Sequence, residues 1–189
     1  MGGINISLAD KVRIAEYQDA LAVIYNGCFN VPPYFERFSQ NEVVKIFEEY
    51  AEQGFVFFAT DGNRLAGFGA AVPSSAVKDL TELLSDFRAN AGEYWYHADV
   101  GVDPGVQGRG IGKLIIEKIL LNIPSDRVFM RTHENNGRSV YLHKKFGFKA
   151  IEGMIQEKEN IHCPGGIDKR IFMEKIKDKE QIGKKVLKI

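Results

Sequence analysis

Residues 106–113 read VQGRGIGK, which places Gly108, Gly110 and Gly112 at alternate positions. The run YWYHADVGV stands just before them and the apolar-periodic LIIEKILLN just after, so the glycines occupy a strand-to-helix junction. Glycines let backbone N–H groups approach a ligand closely, and the first turn of a helix adds unpaired donors and the positive end of the macrodipole. The chemistry of such a segment is anion binding, a phosphate above all. The dinucleotide pattern G-x-G-x-x-G, started at Gly108, needs a glycine where Lys113 stands. A nucleotide P-loop needs Ser or Thr after Gly112-Lys113 and a glycine five positions before Gly112, where Leu114 and Gln107 stand. Neither pattern is present.

What remains, Gln107-Gly108-Arg109-Gly110-Ile111-Gly112, resembles the Q/R-x-x-G-x-G signature of the GNAT superfamily of N-acetyltransferases. Val102-Asp103-Pro104 is similar to the V-x-P that ends the fourth strand in that family. A second segment, NGRSVYLHKKFGFK at 136–149, is similar to the family's N-x-x-A-x-x-L-Y-x-K-x-G-F. Asn136, Leu142, Lys145, Gly147 and Phe148 match it, Ser139 replaces the small Ala, and His143 replaces the Tyr. The resemblance covers residues 94–149 by motif and the rest by element order. It implies acetyl-CoA as cofactor, with the pyrophosphate held by backbone N–H groups of Gln107, Gly108, Arg109, Gly110, Ile111 and Gly112. Arg109 and Lys113 either add charge there or are solvated surface residues. Asn136 and Ser139 would face the same cofactor. Val100 and Val102 would offer their backbones where the fourth and fifth strands splay, their side chains being core, and Gly101 between them would ease a bulge.

His143 sits where the resemblance expects the acid that protonates the departing thiolate. In a helix starting near Ser139, positions 136, 139 and 143 share a face, whereas Tyr141 lies about 200° round from His143. An unshifted imidazole would be only partly protonated near pH 7, so the chemical step would slow as pH rises through about 6 to 7.5. The alternative is that His143 only packs or hydrogen-bonds beside the cofactor. An amine acceptor must lose a proton, and His97 and Asp99 on the fourth strand are the candidate bases, each with a structural role as the alternative. Which of them faces the cleft depends on where a bulge shifts the register. Tyr34, Phe35 and Phe38, beside Pro32-Pro33, and the HCPGG loop stand where the family builds its acceptor pocket. His162 and Cys163 have no partners at metal-ligand spacing, so no metal is expected.

Two functions follow: an acetyl-CoA-dependent N-acetyltransferase acting on a primary amine of a small molecule or peptide by direct attack, or a non-catalytic acyl-CoA-binding sensor or scaffold module. The glycines suit both, and His143 in place of Tyr keeps the second open.

The whole chain fits either. Its 189 residues suit one domain spanning 1–189, with 177–189 a charged tail, and 25 Lys+Arg balance 25 Asp+Glu, which argues against nucleic acid or an anionic membrane as partner. No apolar run reaches the roughly 18 residues of a membrane span. Cys28 and Cys163 form no C-x-x-C pair, and MGGINIS has Ile6 where a myristoylation signal needs Ser or Thr, so the expected location is the cytoplasm. The expected elements are a strand at 11–15, amphipathic helices at 16–29 and 40–53, and a hairpin about Asp61-Gly62. A partly helical insertion at 73–92 follows, then the fourth strand, the glycine loop with its helix, a fifth strand, a short helix and two late strands. The insertion is a lid, an oligomer contact that would make a homodimer, or an elaborated core edge. This order fits an α/β fold with a mixed, mostly antiparallel central sheet flanked by helices.

Overall fold

The computed structural model describes residues 3–86, 93–160 and 166–177. An edge strand, β1 (Ile4–Leu8), precedes α1 (Lys11–Glu16), α2 (Gln18–Phe29) and α3 (Gln40–Gln53). Residues 11–15, expected as the first strand, are helical instead. Asp10 accepts a hydrogen bond from the Arg13 backbone N–H and caps α1. Of residues 11–15 only Ile14 is buried, and Val12 is 78% exposed. At α3, Ser39 and Glu42 form a reciprocal capping box, and Gly54 follows its end.

Next come β2 (Phe55–Asp61) and β3 (Arg64–Pro73), joined by the turn that Asp61-Gly62 signals, with Gly62 at φ 61°. α4 (Lys78–Asp86), β4 (Tyr94–Val102), α5 (Ile111–Asn122), β5 (Arg127–His133), α6 (Gly137–Lys145), β6 (Lys149–Glu159) and β7 (Ile167–Ile176) complete the chain. The strands form one seven-stranded sheet in the order β1-β2-β3-β4-β5-β7-β6. Every neighbouring pair is antiparallel except β4 with β5.

Alternate residues of β2 and β3 feed two cores. Phe57, Ala59 and Ala71 pack with Ile115, Ile116 and Ile119 of α5, while Phe58, Phe68 and Ala70 pack with Leu21, Tyr25, Val43 and Phe47 of α2 and α3. Gly101, expected to ease a bulge, instead makes room for an aromatic ring, since a Cβ there would lie 2.4 Å from Phe68. A third core lies under α4, where Leu80 and Leu84 are fully buried with Tyr96, Phe129 and Phe172. The described part of the 73–92 insertion thus extends the core over the β4-β5-β7 half of the sheet. Among the described residues no helix is long and apolar enough to cross a membrane.

Just past β7, Lys177 is only 7% exposed and donates from Nζ to the carbonyls of Ile123 (2.6 Å) and Leu120 (3.3 Å), at the C-terminal end of α5. A Lys177→Met change keeps most of the apolar stem and strands those carbonyls. It is expected to cost about 1–2 kcal/mol in denaturant unfolding, against no loss if the contact is idle.

Candidate active site

β4 and β5 pair over three positions only, Tyr94, Trp95 and Tyr96 against Arg127, Val128 and Phe129. Beyond them β4 stays with β3, and β5 pairs only with β7, so the parallel strands diverge. A cleft of ≈ 990 Å³ opens in the wedge. The glycine loop and the first turn of α5 line one part of it, the α2–α3 connection and β5, β6 and β7 another.

On the loop side, Gly108 and Gly110 adopt φ of 82° and 79°, a region that side chains rarely occupy, and a Cβ at either would meet no atom within 4 Å. Gly110 is the N-cap of α5 and supplies no capping side chain, and no acidic residue stands in the first turn. Among the described residues, the first N–H groups of the helix therefore have no side-chain acceptor, at the mouth of an open cleft. Gln107, Gly108, Gly110, Ile111, Gly112 and Lys113 all line it. Arg109 does not: it turns to Asp61, 3.0 Å away. Arg138, which the sequence pattern did not single out, does line the cleft. Val100 and Val102 line it too, with side chains packed on the α5 core, and the Val102 carbonyl accepts from Gln107 Nε2 at 3.1 Å.

The register of β4 against β3 shifts once: Ala70 pairs with Asp99 and Ala71 with His97, leaving Ala98 as the extra residue of a bulge. The bulge sends His97 and Asp99 to different faces. Asp99 joins the α2–α3 side, where Tyr50 and Tyr25 donate their hydroxyls to Oδ2 at 3.0 and 3.4 Å. Among the described residues none donates to Oδ1. Burial pushes the Asp99 carboxyl above the usual range, and the hydrogen bond from Tyr50 and the charge of Arg131 pull it back only in part. Sequence reasoning missed the two tyrosines because they read as core positions. The available signal was Tyr rather than Phe on the buried faces of successive helices, which demands a partner for each hydroxyl.

His97 goes to the α6 side and meets His143. His143 Nδ1 lies 2.8 Å from the Ser139 carbonyl, which can only accept, so Nδ1 carries the hydrogen. His143 Nε2 then accepts from His97 Nδ1 at 3.3 Å, and His97 Nε2 is left buried without a partner among the described residues. Desolvation lowers both imidazoles below 6.5, His97 well below. The imidazolium acid expected at His143 is therefore disfavoured, and neither of its nitrogens keeps a free N–H for a leaving sulfur. Lowered folded-state values mean that the unfolded chain binds more protons once pH falls below about 6.5. Stability should thus be full above 6.5 and decline towards pH 5, by up to about 1.4 kcal/mol per pH unit for each excluded proton. Thermal melts from pH 8 to 5 should show that slope, and a His97→Leu, His143→Leu double variant should flatten it.

Tyr34 ties the α2–α3 connection to β5 and the start of α6. Its hydroxyl lies 2.9 Å from Thr132 Oγ1 and accepts from Asn136 Nδ2 at 3.0 Å, while Asn136 Oδ1 caps α6 by accepting from the Ser139 N–H. The Arg170 guanidinium stands 4.7 Å over the Tyr34 ring. Asn136 and Ser139 line the cleft, and the side chain of Asn136 is engaged within the protein. Of the three aromatic residues expected in the acceptor pocket, Tyr34 alone lines the cleft. Phe35 is 45% exposed at φ 55°, and Phe38 packs edge-on against Tyr25 in the helical core. Residues 162–165 of the HCPGG loop lie outside the described residues.

A family model described as acetyltransferase (GNAT) family matches residues 18–148. The chain belongs to this family. GNAT proteins use acetyl-CoA, and the divergent strands with the glycine loop between them are the features of this chain that suit it. Solved structures share the fold across nearly the whole chain. An N-acetyltransferase from Staphylococcus aureus Mu50 superposes with a TM-score of 0.68 at 16% identity, covering 93% of this chain and 99% of its own. YncA of Salmonella typhimurium, solved with its cofactor acetyl-CoA, gives 0.68 at 16% identity, over 93% and 95% of the two chains. The ribosomal-protein-S18-alanine N-acetyltransferase of Escherichia coli gives 0.65 at 16% identity, over 93% and 96%. No curated protein matches the sequence.

Proposed function

We propose that this GNAT N-acetyltransferase moves an acetyl group from acetyl-CoA to a primary amine of a small molecule or peptide by direct attack, with Asp99 accepting the amine's proton. The observation that carries the reading is the Asp99 carboxylate itself. One oxygen is fixed by Tyr25 and Tyr50, the other takes no hydrogen bond from the described residues, and Asp99 lines the cleft at the strand divergence. His97 is the weaker base, because its one unpaired nitrogen is buried from solvent.

Acetyl-CoA supplies the activated acyl group when bound. The residues suited to hold it are the backbone N–H groups of residues 107–112, with Lys113 and Arg138 adding positive charge beside them and the backbone of Val100 facing the wedge. A primary ammonium has a pKa near that of lysine, ~10.4, so it arrives protonated, and Asp99 both attracts it and takes its proton. Carbon–nitrogen bond formation and carbon–sulfur cleavage then balance as ammonium plus thioester giving amide, thiol and one proton. His143, held neutral, orders α6 against β4. The test is thiol release from acetyl-CoA across amino acids, polyamines, aminoglycosides and N-terminal peptides. Tight acetyl-CoA binding with turnover on none of them would overturn the catalytic reading.

A further inference from the structure

Two charged clusters on the acceptor side are not used by that chemistry. On the first, Arg131 Nη1 (2.6 Å), Lys158 Nζ (3.0 Å) and Gln156 Nε2 (3.5 Å) converge on one oxygen, Oδ2 of Asp79. Burial opposes ionisation of Asp79, yet Arg131 and Lys158 hold its carboxyl down to about 2, so it stays charged. One carboxylate against two cations leaves a positive charge unmatched. On the second, Arg170 binds both Asp168 and Glu36 at 2.6 Å, one cation against two carboxylates, which leaves a negative charge unmatched. Lys158 pairs in register with Asp168, and Gln156 with Arg170, so the clusters lie side by side across β6 and β7. Arg131, Lys158, Arg170, Glu36 and Asp168 all line the cleft.

This floor is a dipole in the cleft that Asp99 also lines. The Arg131 guanidinium lies 5.6 Å over the Tyr96 ring, and the bulge at Ala98 brings Tyr96 and Asp99 to the same face. Resting on the reading of Asp99 as the proton acceptor, we infer that the acceptor is a small aminocarboxylate, its amine at Asp99 and its carboxylate at Arg131 and Lys158. Arg170 is not the carboxylate receptor, because two carboxylates already occupy it. Asp79, which sets the cationic pair in place, comes from α4, so the insertion that extends the core also shapes the floor.

The experiment follows thiol release with matched acceptors: free amino acids, their amides, the corresponding decarboxylated amines, and spermidine. Free amino acids should exceed their amides and amines at least tenfold in kcat/KM. Lys158→Gln, at a half-exposed position, should raise KM for the acid at least tenfold with kcat changed far less, and should bring the acid-to-amide ratio towards one. Amides, amines or spermidine turned over as well as the free acid would overturn the inference and leave acetyl transfer standing. So would an acid-to-amide ratio untouched in Lys158→Gln. Release of thiol on no amine of any kind would overturn the inference and the function beneath it.

Discussion

An Asp99→Asn enzyme should lose about 10²- to 10⁴-fold in kcat while binding acetyl-CoA within twofold of wild type. Asn keeps the shape and still offers an oxygen to the hydroxyls of Tyr25 and Tyr50, so the substitution removes the proton acceptor and little else. It should not cost stability at neutral pH. A carboxyl whose folded-state value is raised favours the fold fully below its unfolded value, and that contribution fades as pH rises through the folded value. An ionised Asp99 would be a buried charge, and Asn carries none. In wild type kcat/KM should fall as pH drops through the raised Asp99 value, and that acidic limb should vanish in the variant. Tyr50→Phe offers a sharper check: its hydrogen bond lowers the Asp99 value, so removing it should move the limb to higher pH. Retention of a tenth or more of kcat by Asp99→Asn across the pH range would transfer the proton to another group.

How far the site was legible depended on what each part asks of the chain. The glycine loop asks for backbone conformation, and glycine takes φ near 80° with the least strain, so the residue types at 108 and 110 marked the left-handed turns of the loop directly. The fold followed from element order except at the N-terminus, where β1 at Ile4–Leu8 was not anticipated and residues 11–15, expected as the first strand, are helical under the Asp10 cap. The sequence could not separate His97 from Asp99 as the candidate base, because the face each takes depends on one extra residue at Ala98, and a bulge leaves no mark in composition. The charged floor needed the pairing register of β6 on β7 together with Asp79 from α4, contacts that span 77 or more positions between Asp79 and β6. His143 was found by its place in a motif. Both its ring nitrogens have partners, which no spacing rule reports.

Replacing Gly110 by Glu should abolish coenzyme A binding in a chain that still folds. No heavy atom lies within 4 Å of a Cβ built at Gly110, so the added side chain meets open cleft rather than core. The local cost is that of holding a non-glycine residue at φ 79°, about 1–2 kcal/mol, which a domain of ordinary stability survives. The functional cost is larger. A carboxylate at the N-cap of α5 would itself occupy the first-turn N–H groups and the positive end of the dipole. Facing a pyrophosphate at about 4 Å, it adds a repulsion of about 4 kcal/mol at an effective dielectric of about 20, or roughly a thousandfold in Kd. Gly110→Asn separates charge from backbone strain, since Asn tolerates the left-handed region and carries no charge. The expected order by calorimetry is wild type tightest, Gly110→Asn weaker by about tenfold, and Gly110→Glu without measurable binding. Unchanged affinity in a folded Gly110→Glu protein would move the pyrophosphate away from this helix and, with it, the acyl group away from Asp99.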